Sequence, residues 1–140
     1  MVSKISDGIE VSVETFYQPE YSNPMQREFM FAYKVTITNN NRFSIKLLSR
    51  HWFIYDSNGT RREVVGDGVV GVQPIINSQK HYEYVSGCNL NSELGKMYGT
   101  YTVENVLSRN QFQIAIPAFE MVAPLKLNWK YKQSELYLLL

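Results

Sequence analysis

The sequence predicts an all-β chain, an immunoglobulin- or fibronectin type III-like β-sandwich of about seven or eight antiparallel strands. Three observations carry that expectation. Apolar residues recur with period two in segment after segment, and no run sustains the three-to-four-residue spacing of an amphipathic helix. The alternating runs are short and separated by Asn, Gly, Pro and Asp, the residues that turn a chain. At 140 residues, 44% hydrophobic and 19% charged, the chain can bury one core and lies far from the composition of disordered proteins.

Ile9, Val11 and Val13 alternate with Glu10, Ser12 and Glu14, which makes a first strand with one buried and one wet face. Pro19, Asn23 and Pro24 then interrupt any ladder. The clearest strand covers 28–39, where Phe29, Phe31, Tyr33, Val35 and Ile37 alternate with Met30, Ala32, Lys34, Thr36 and Thr38. Asn39-Asn40-Asn41 turns the chain. Over 44–56, Ile45 and Leu47 hold one phase and Trp52 and Ile54 the other, so a β-bulge is expected near Ser49-Arg50 unless Phe53 and Tyr55 keep the first phase. Asp56-Ser57-Asn58-Gly59 is a strong turn signal, and 60–65 returns as a hairpin partner. Residues 66–80 read as a long loop. After it, 81–86 places Tyr82 and Tyr84 on one face, 87–95 reads as loop, and 97–104 forms another strand. Phe112, Ile114 and Ile116 then face inward before Pro117 stops the last run.

Towards the C-terminus Leu125, Leu127, Trp129 and Tyr131 alternate with Lys126, Asn128, Lys130 and Lys132, and the sequence closes on Leu136-Tyr137-Leu138-Leu139-Leu140. The expected organisation is one sandwich domain over 1–128 and an extension over 129–140, an extra strand or an arm. That arm either folds back on its own sandwich or packs on another copy or a foreign chain, which opens a route to a homo-oligomer.

A net charge of +1 gives no global field to steer the protein onto nucleic acid or an anionic membrane, so neither is an expected partner. No apolar stretch approaches the roughly 20 residues of a membrane span, and the N-terminus lacks a signal-like apolar core. Cys88 is the only cysteine, so no intrachain disulfide forms. The expected compartment is the cytoplasm.

Gly66-Asp67-Gly68-Val69-Val70-Gly71 matches G-x-G-x-x-G, a pattern that in dinucleotide-binding folds opens a helix facing pyrophosphate. Here Val72-Gln73-Pro74-Ile75-Ile76 follows, a β-branched run broken by proline, which argues against a helix. Two readings stay open. The glycines supply positive φ or close backbone approach in an inter-sheet loop, or their amides form a nest for a phosphate, helped by Arg61 and Arg62. Arg61, Arg62, Gly66, Asp67, Gly68, Gly71 and Gln73 are therefore the candidate residues for binding a partner or an anion. His51, His81 and Cys88 show no metal-ligand spacing, and no nucleophile elbow or H-E-x-x-H run occurs. No cofactor, metal or catalytic residue is expected.

Several motifs together carry a resemblance. Ser49-Arg50-His51-Trp52, Glu63-Val64, Gly66-x-Gly68-Val69-Val70-Gly71-x-Gln73-Pro74, Tyr84-x-Ser86-Gly87, Leu90, Gly95-x-Met97-x-Gly99-x-Tyr101 and Ile116-Pro117-x-Phe119 resemble the ApaG family over roughly residues 8–128. Ser92-Glu93 departs from the threonine-proline commonly found before the corresponding Leu-Gly. The resemblance implies a fibronectin-type sandwich without established catalytic residues. Bacterial members are associated by phenotype with cobalt and magnesium efflux, and related eukaryotic domains look like protein-interaction modules. The expectation is a non-enzymatic binding module for an unidentified protein partner; the alternative is binding of a small anion, phosphate or nucleotide, by residues 66–71.

Overall fold

In the computed structural model, which describes residues 1–124, nine antiparallel strands build two stacked sheets. The strands are β1 (Val2–Ser6), β2 (Ile9–Tyr17), β3 (Phe29–Asn39), β4 (Ile45–Asp56), β5 (Arg61–Asp67), β6 (Ile75–Ile76), β7 (His81–Leu90), β8 (Leu94–Asn105) and β9 (Gln111–Val122). One sheet has the order β1-β2-β3-β7 and the other β5-β4-β8-β9, with β6 alongside the start of β4. The sandwich is as expected; the short strands β1 and β6 were not foreseen, and the 66–80 segment is not all loop, because β5 runs on through Asp67 and Ile75–Ile76 pair with β4. Among the described residues no helix is long and apolar enough to cross a membrane. The expected extension at 129–140 lies outside the described residues.

Two-residue alternation explains the layering. Every odd residue of β3 from Phe29 to Asn39 is buried, and every even one is half-exposed. Val11 pairs with Ile37 and Val35 with Tyr84, so the inner face of the first sheet is continuous across β2, β3 and β7. Trp52 of β4 sits at the centre of the second layer, edge-on to Tyr33 at 5.5 Å, Phe119 at 5.9 Å and Tyr101 at 6.4 Å between ring centroids. The hydroxyls of Tyr84 and Tyr101 bond to each other across the two layers. Burial raises both phenols above the usual tyrosine range, and each hydroxyl's nearest polar company is the other.

Asn39 holds a core position although it is polar, and it is fully buried. Its amide donates to the carbonyls of Phe43 (2.8 Å) and Ile76 (3.0 Å), and its Oδ1 accepts from the Asn41 amide (3.1 Å). One side chain thus latches the end of β3 in the first sheet to β6 in the second.

Three local expectations need correction, and a fourth, the bulge, is met to within a residue or two. A first strand was missed: Val2–Ser6 pairs with β2 through Asp7-Gly8, whose φ values of 49° and 77° form the two-residue turn that this dipeptide favours. The β4 bulge falls at Leu48, just before the Ser49-Arg50 position, and the buried phase after it is that of Trp52 and Ile54. Residues 87–95 are not a loop, because Cys88 and Leu90 continue the buried phase of Tyr84 and leave only 91–93 to turn. Pro117 does not stop the last strand. Tyr98 of β8 faces both Pro117 and Ala118 of β9, and such a bulge on an edge strand needs no amide from proline.

Candidate binding site around the fifth strand

β5 touches three features at once. Its seven residues pair with β4 alone among the described residues, so its other edge carries backbone groups without a ladder partner. Alternation sends Arg61, Glu63 and Val65 to the outer face and Arg62 and Val64 to the inter-sheet side. Its C-terminal end leads into the glycine-rich loop.

On the outer face the register lines up cross-strand rows. Arg61, Tyr55 and Lys96 form one row, Glu63, Phe53 and Tyr98 the next, and Val65, His51 and Thr100 a third. The aromatic rings stack through these rows: His51 on Phe53 (4.6 Å), Phe53 on Tyr98 (5.3 Å) and Tyr98 on Tyr55 (5.8 Å). The Arg61 guanidinium and the Lys96 ammonium lie 5.7 Å and 5.6 Å from the centre of the Tyr55 ring. His51 Nε2 and Glu63 Oε2 are 2.5 Å apart. Tyr55 and Tyr98 share a hydroxyl contact of 3.3 Å, which lowers the pKa of Tyr55, aided by Arg61, and raises that of Tyr98. The result is a half-exposed aromatic strip rimmed by charge, with a hollow of about 200 Å³ between Phe53, Tyr55, Arg61, Arg62 and Glu63.

On the inner side, the margins of the two sheets leave a cleft of about 190 Å³ between β5 and β7. Trp52, Ile54 and Met97 give it an apolar floor, and Arg50, Arg62, Tyr33 and Ser86 give it polar walls. Arg62 reaches across it and donates to the Asn89 carbonyl, with Cys88 Sγ 3.6 Å away. Burial pushes the Cys88 thiol up, and the Arg62 charge opposes that push. Burial likewise raises Tyr33, against the Ser86 hydroxyl and the Arg50 charge.

The glycine-rich segment is a hairpin excursion from the β5–β6 edge, placed where β4 bulges. The Leu48 carbonyl accepts from the Gly68 amide (2.8 Å) and from Gln73 Nε2 (2.9 Å). Val69 and Val72 exchange both backbone hydrogen bonds around Val70 and Gly71, whose φ values are 46° and 81°. No helix starts there. The amides of Gly68, Val69 and Val72 thus already donate within the protein. The carbonyls of Asp67 and Gly68 accept from Arg50 Nη1 at 2.9 and 3.0 Å, so this side of the loop offers oxygens to a cation.

The three glycines differ in what they permit. A Cβ on Gly66 would come within 2.9 Å of the Arg50 guanidinium, so the bare glycine lets that side chain lie flat across the strand. A Cβ on Gly68 would overlap the Val72 carbonyl oxygen. Gly71 has open space around it and only its φ argues for glycine.

Arg61, Arg62, Gly66 and Asp67 therefore share one strand, and Gly68, Gly71 and Gln73 follow in the excursion, within one margin of the second sheet. His81 stands exposed at the start of β7. Among the described residues no three His, Cys, Asp or Glu side chains gather to hold a metal ion. Sequence reasoning missed Arg50 as the organiser of the loop, and it missed the outer aromatic strip. A signal for the strip was present: β4 carries apolar residues in both phases, Trp52 and Ile54 against Phe53 and Tyr55.

Comparison with known proteins places the chain in a family. The model of the ApaG domain matches residues 19–105. The Brucella canis protein ApaG is 43% identical over 124 residues, which is 89% of this chain and 95% of that protein. The Sinorhizobium fredii protein ApaG is 39% identical over the same shares. A crystal structure from Bordetella pertussis, described as an ApaA protein, superposes with a TM-score of 0.80 at 40% identity, covering 83% of this chain and 94% of that one.

Proposed function

This chain belongs to the ApaG family, and from that premise we propose that it is a non-enzymatic binding module that recognises a protein partner through β5 and the loop that follows it. The observation that carries the reading is the exposure of β5. Six of its seven residues are exposed, Val64 and Val65 among them, while the strand's outer edge has no ladder partner among the described residues. An extended segment of a partner laid along this edge gains backbone hydrogen bonds, and its alternate side chains meet the aromatic strip on one side and the cleft on the other. The hairpin excursion adds Val70 and Val72, exposed by 62% and 48%, to the same margin. Arg61, Arg62, Asp67 and Gln73 lie inside this surface, which is where the glycine-rich segment contributes to binding. The link to cobalt and magnesium efflux that the resemblance implies is read as indirect, exerted through the partner.

A photo-crosslinking amino acid at Val65, and in a second protein at Ser12 on the outer face of the other sheet, tests this in cells of the source organism. A discrete adduct from Val65 that is absent from Ser12 supports the assignment. Equal adducts from both sites, or adducts from Ser12 alone, overturn it.

A further inference from the structure

The cleft beneath β5 is lined by two cationic side chains without an acidic counterpart among the described residues. The contacts between basic and acidic side chains among the described residues are Lys34–Glu83, His51–Glu63 and Arg109–Glu104, and neither Arg50 nor Arg62 takes part in one. Arg50 donates through Nη1 to the Asp67 and Gly68 carbonyls, while its Nε and Nη2 make no hydrogen bond to described residues. Arg62 donates to Asn89 and Cys88, all uncharged acceptors. Asp56, whose charge reaches Cys88, is itself held by the Asn91 amide and the Ser92 hydroxyl. A guanidinium with N–H groups not engaged by an acid binds a carboxylate in a forked, charge-assisted geometry, and a second cation lining the same cleft adds to the attraction.

We propose that this cleft receives a carboxylate carried by a polypeptide partner, anchored by Arg50 and Arg62, with its aliphatic stem on Trp52, Ile54 and Met97. Size favours one side chain over a larger free metabolite. At a liquid-water share of ~30 Å³ per molecule, 190 Å³ holds about six waters, the bulk of a carboxylate on a short stem. Pockets for small molecules begin near 300 Å³. Position points the same way, because the cleft opens between the margins of β5 and β7 and a strand added along β5 brings every second side chain over it. The proposal rests on β5 being the recognition strand and adds what the partner carries: an acidic side chain, or a free C-terminus.

The test is a titration of the full chain at low salt, followed through backbone amides and arginine Nε–H signals. The probes are N-acetylglutamate N-methylamide, N-acetylglycylglycine with a free C-terminus, and N-acetylglutamine N-methylamide as the uncharged match. Saturable shifts at Arg50, Arg62, Ser86 and Gly87 with either carboxylate, absent with the glutamine compound, support the proposal; whichever carboxylate binds more tightly identifies the source. Arg62→Gln is expected to weaken that binding by about tenfold, and Arg50→Lys, which keeps the charge and loses the fork, by a smaller factor. Equal shifts with the glutamine compound, shifts scattered over unrelated lysines and arginines, or unchanged affinity in Arg62→Gln overturn it. If the Val65 crosslink forms while the carboxylate titrations are flat, the carboxylate site alone falls and β5 stays the recognition strand.

Discussion

Replacing the three motif glycines one at a time by alanine separates a loop built on backbone geometry from one built to expose amides. Gly68→Ala brings two penalties. At a φ of 58°, an L side chain costs about 1 kcal/mol. Its Cβ also overlaps the Val72 carbonyl, so the turn must open and give up hydrogen bonds such as Gly68 to Leu48 and the Val69–Val72 pair, each worth about 1 kcal/mol net. The sum is about 3–4 kcal/mol. Gly71→Ala, with open space and a φ of 81°, should lose only about 1 kcal/mol. Gly66→Ala has ordinary φ and displaces only the far end of Arg50, which again amounts to about 1 kcal/mol. At about 4 °C per kcal/mol for a domain of this size, calorimetry should show Tm falling by about 12–16 °C for Gly68→Ala and about 4 °C for the other two. Asparagine sharpens the comparison, since it tolerates left-handed backbone: Gly71→Asn should recover most of the loss, and Gly68→Asn should not, because its Cβ overlaps just as alanine's does. Equal losses at positions 68 and 71, or recovery by Gly68→Asn, would refute the backbone account.

The remaining predictions concern the seam between the sheets. Tyr84→Phe and Tyr101→Phe should each destabilise by about 1–3 kcal/mol by orphaning the partner hydroxyl, whereas the double variant should lie within about 1 kcal/mol of the parent; strictly additive losses in urea denaturation would contradict a shared hydrogen bond. Tyr33, Tyr84 and Tyr101 hold their protons in the folded state above the ordinary pKa of about 10, so their contribution is intact below that pH and declines above it, by up to about 1.4 kcal/mol per pH unit for each. Phenolate absorbance should therefore rise early for Tyr55, and for the three buried rings only as circular dichroism reports unfolding; one simple titration with the fold intact would count against this. Asn39→Ala should cost about 2–4 kcal/mol and speed hydrogen exchange at both 39–45 and 75–80, since its side chain satisfies groups on each side. Faster exchange at only one of the two segments would show that it does not latch them.

What the sequence disclosed follows from how local each signal is. β3 was legible residue by residue because burial on one face writes itself as period two. The phase change between Leu47 and Trp52 disclosed the bulge for the same reason, to within a residue or two. Asp7-Gly8 was equally legible as a hairpin turn, yet Val2, Lys4 and Ile5 give β1 no clean alternation, because all but its last residue are exposed. Pro117 and Gly87 misled for a shared reason: each is a breaker in general, but an edge bulge tolerates the missing amide and a strand tolerates the missing side chain. The site was less accessible. Arg61, Arg62 and the glycines could be nominated from their types, whereas the cleft joins Arg50, Arg62 and Cys88 from three strands in two sheets and exists only after the layers have stacked.

Val70 carries a further consequence. A branched side chain at a φ of 46° is held in a conformation that asparagine or glycine would adopt with far less strain, and here the valine also leaves its methyl groups in water. Neither burden serves internal cohesion. A sequence selected for cohesion alone would soften this hairpin tip. What the fold presents instead is an apolar point on a two-residue turn already closed by the Val69–Val72 hydrogen bonds, so a partner that met it would leave little backbone freedom to be lost there.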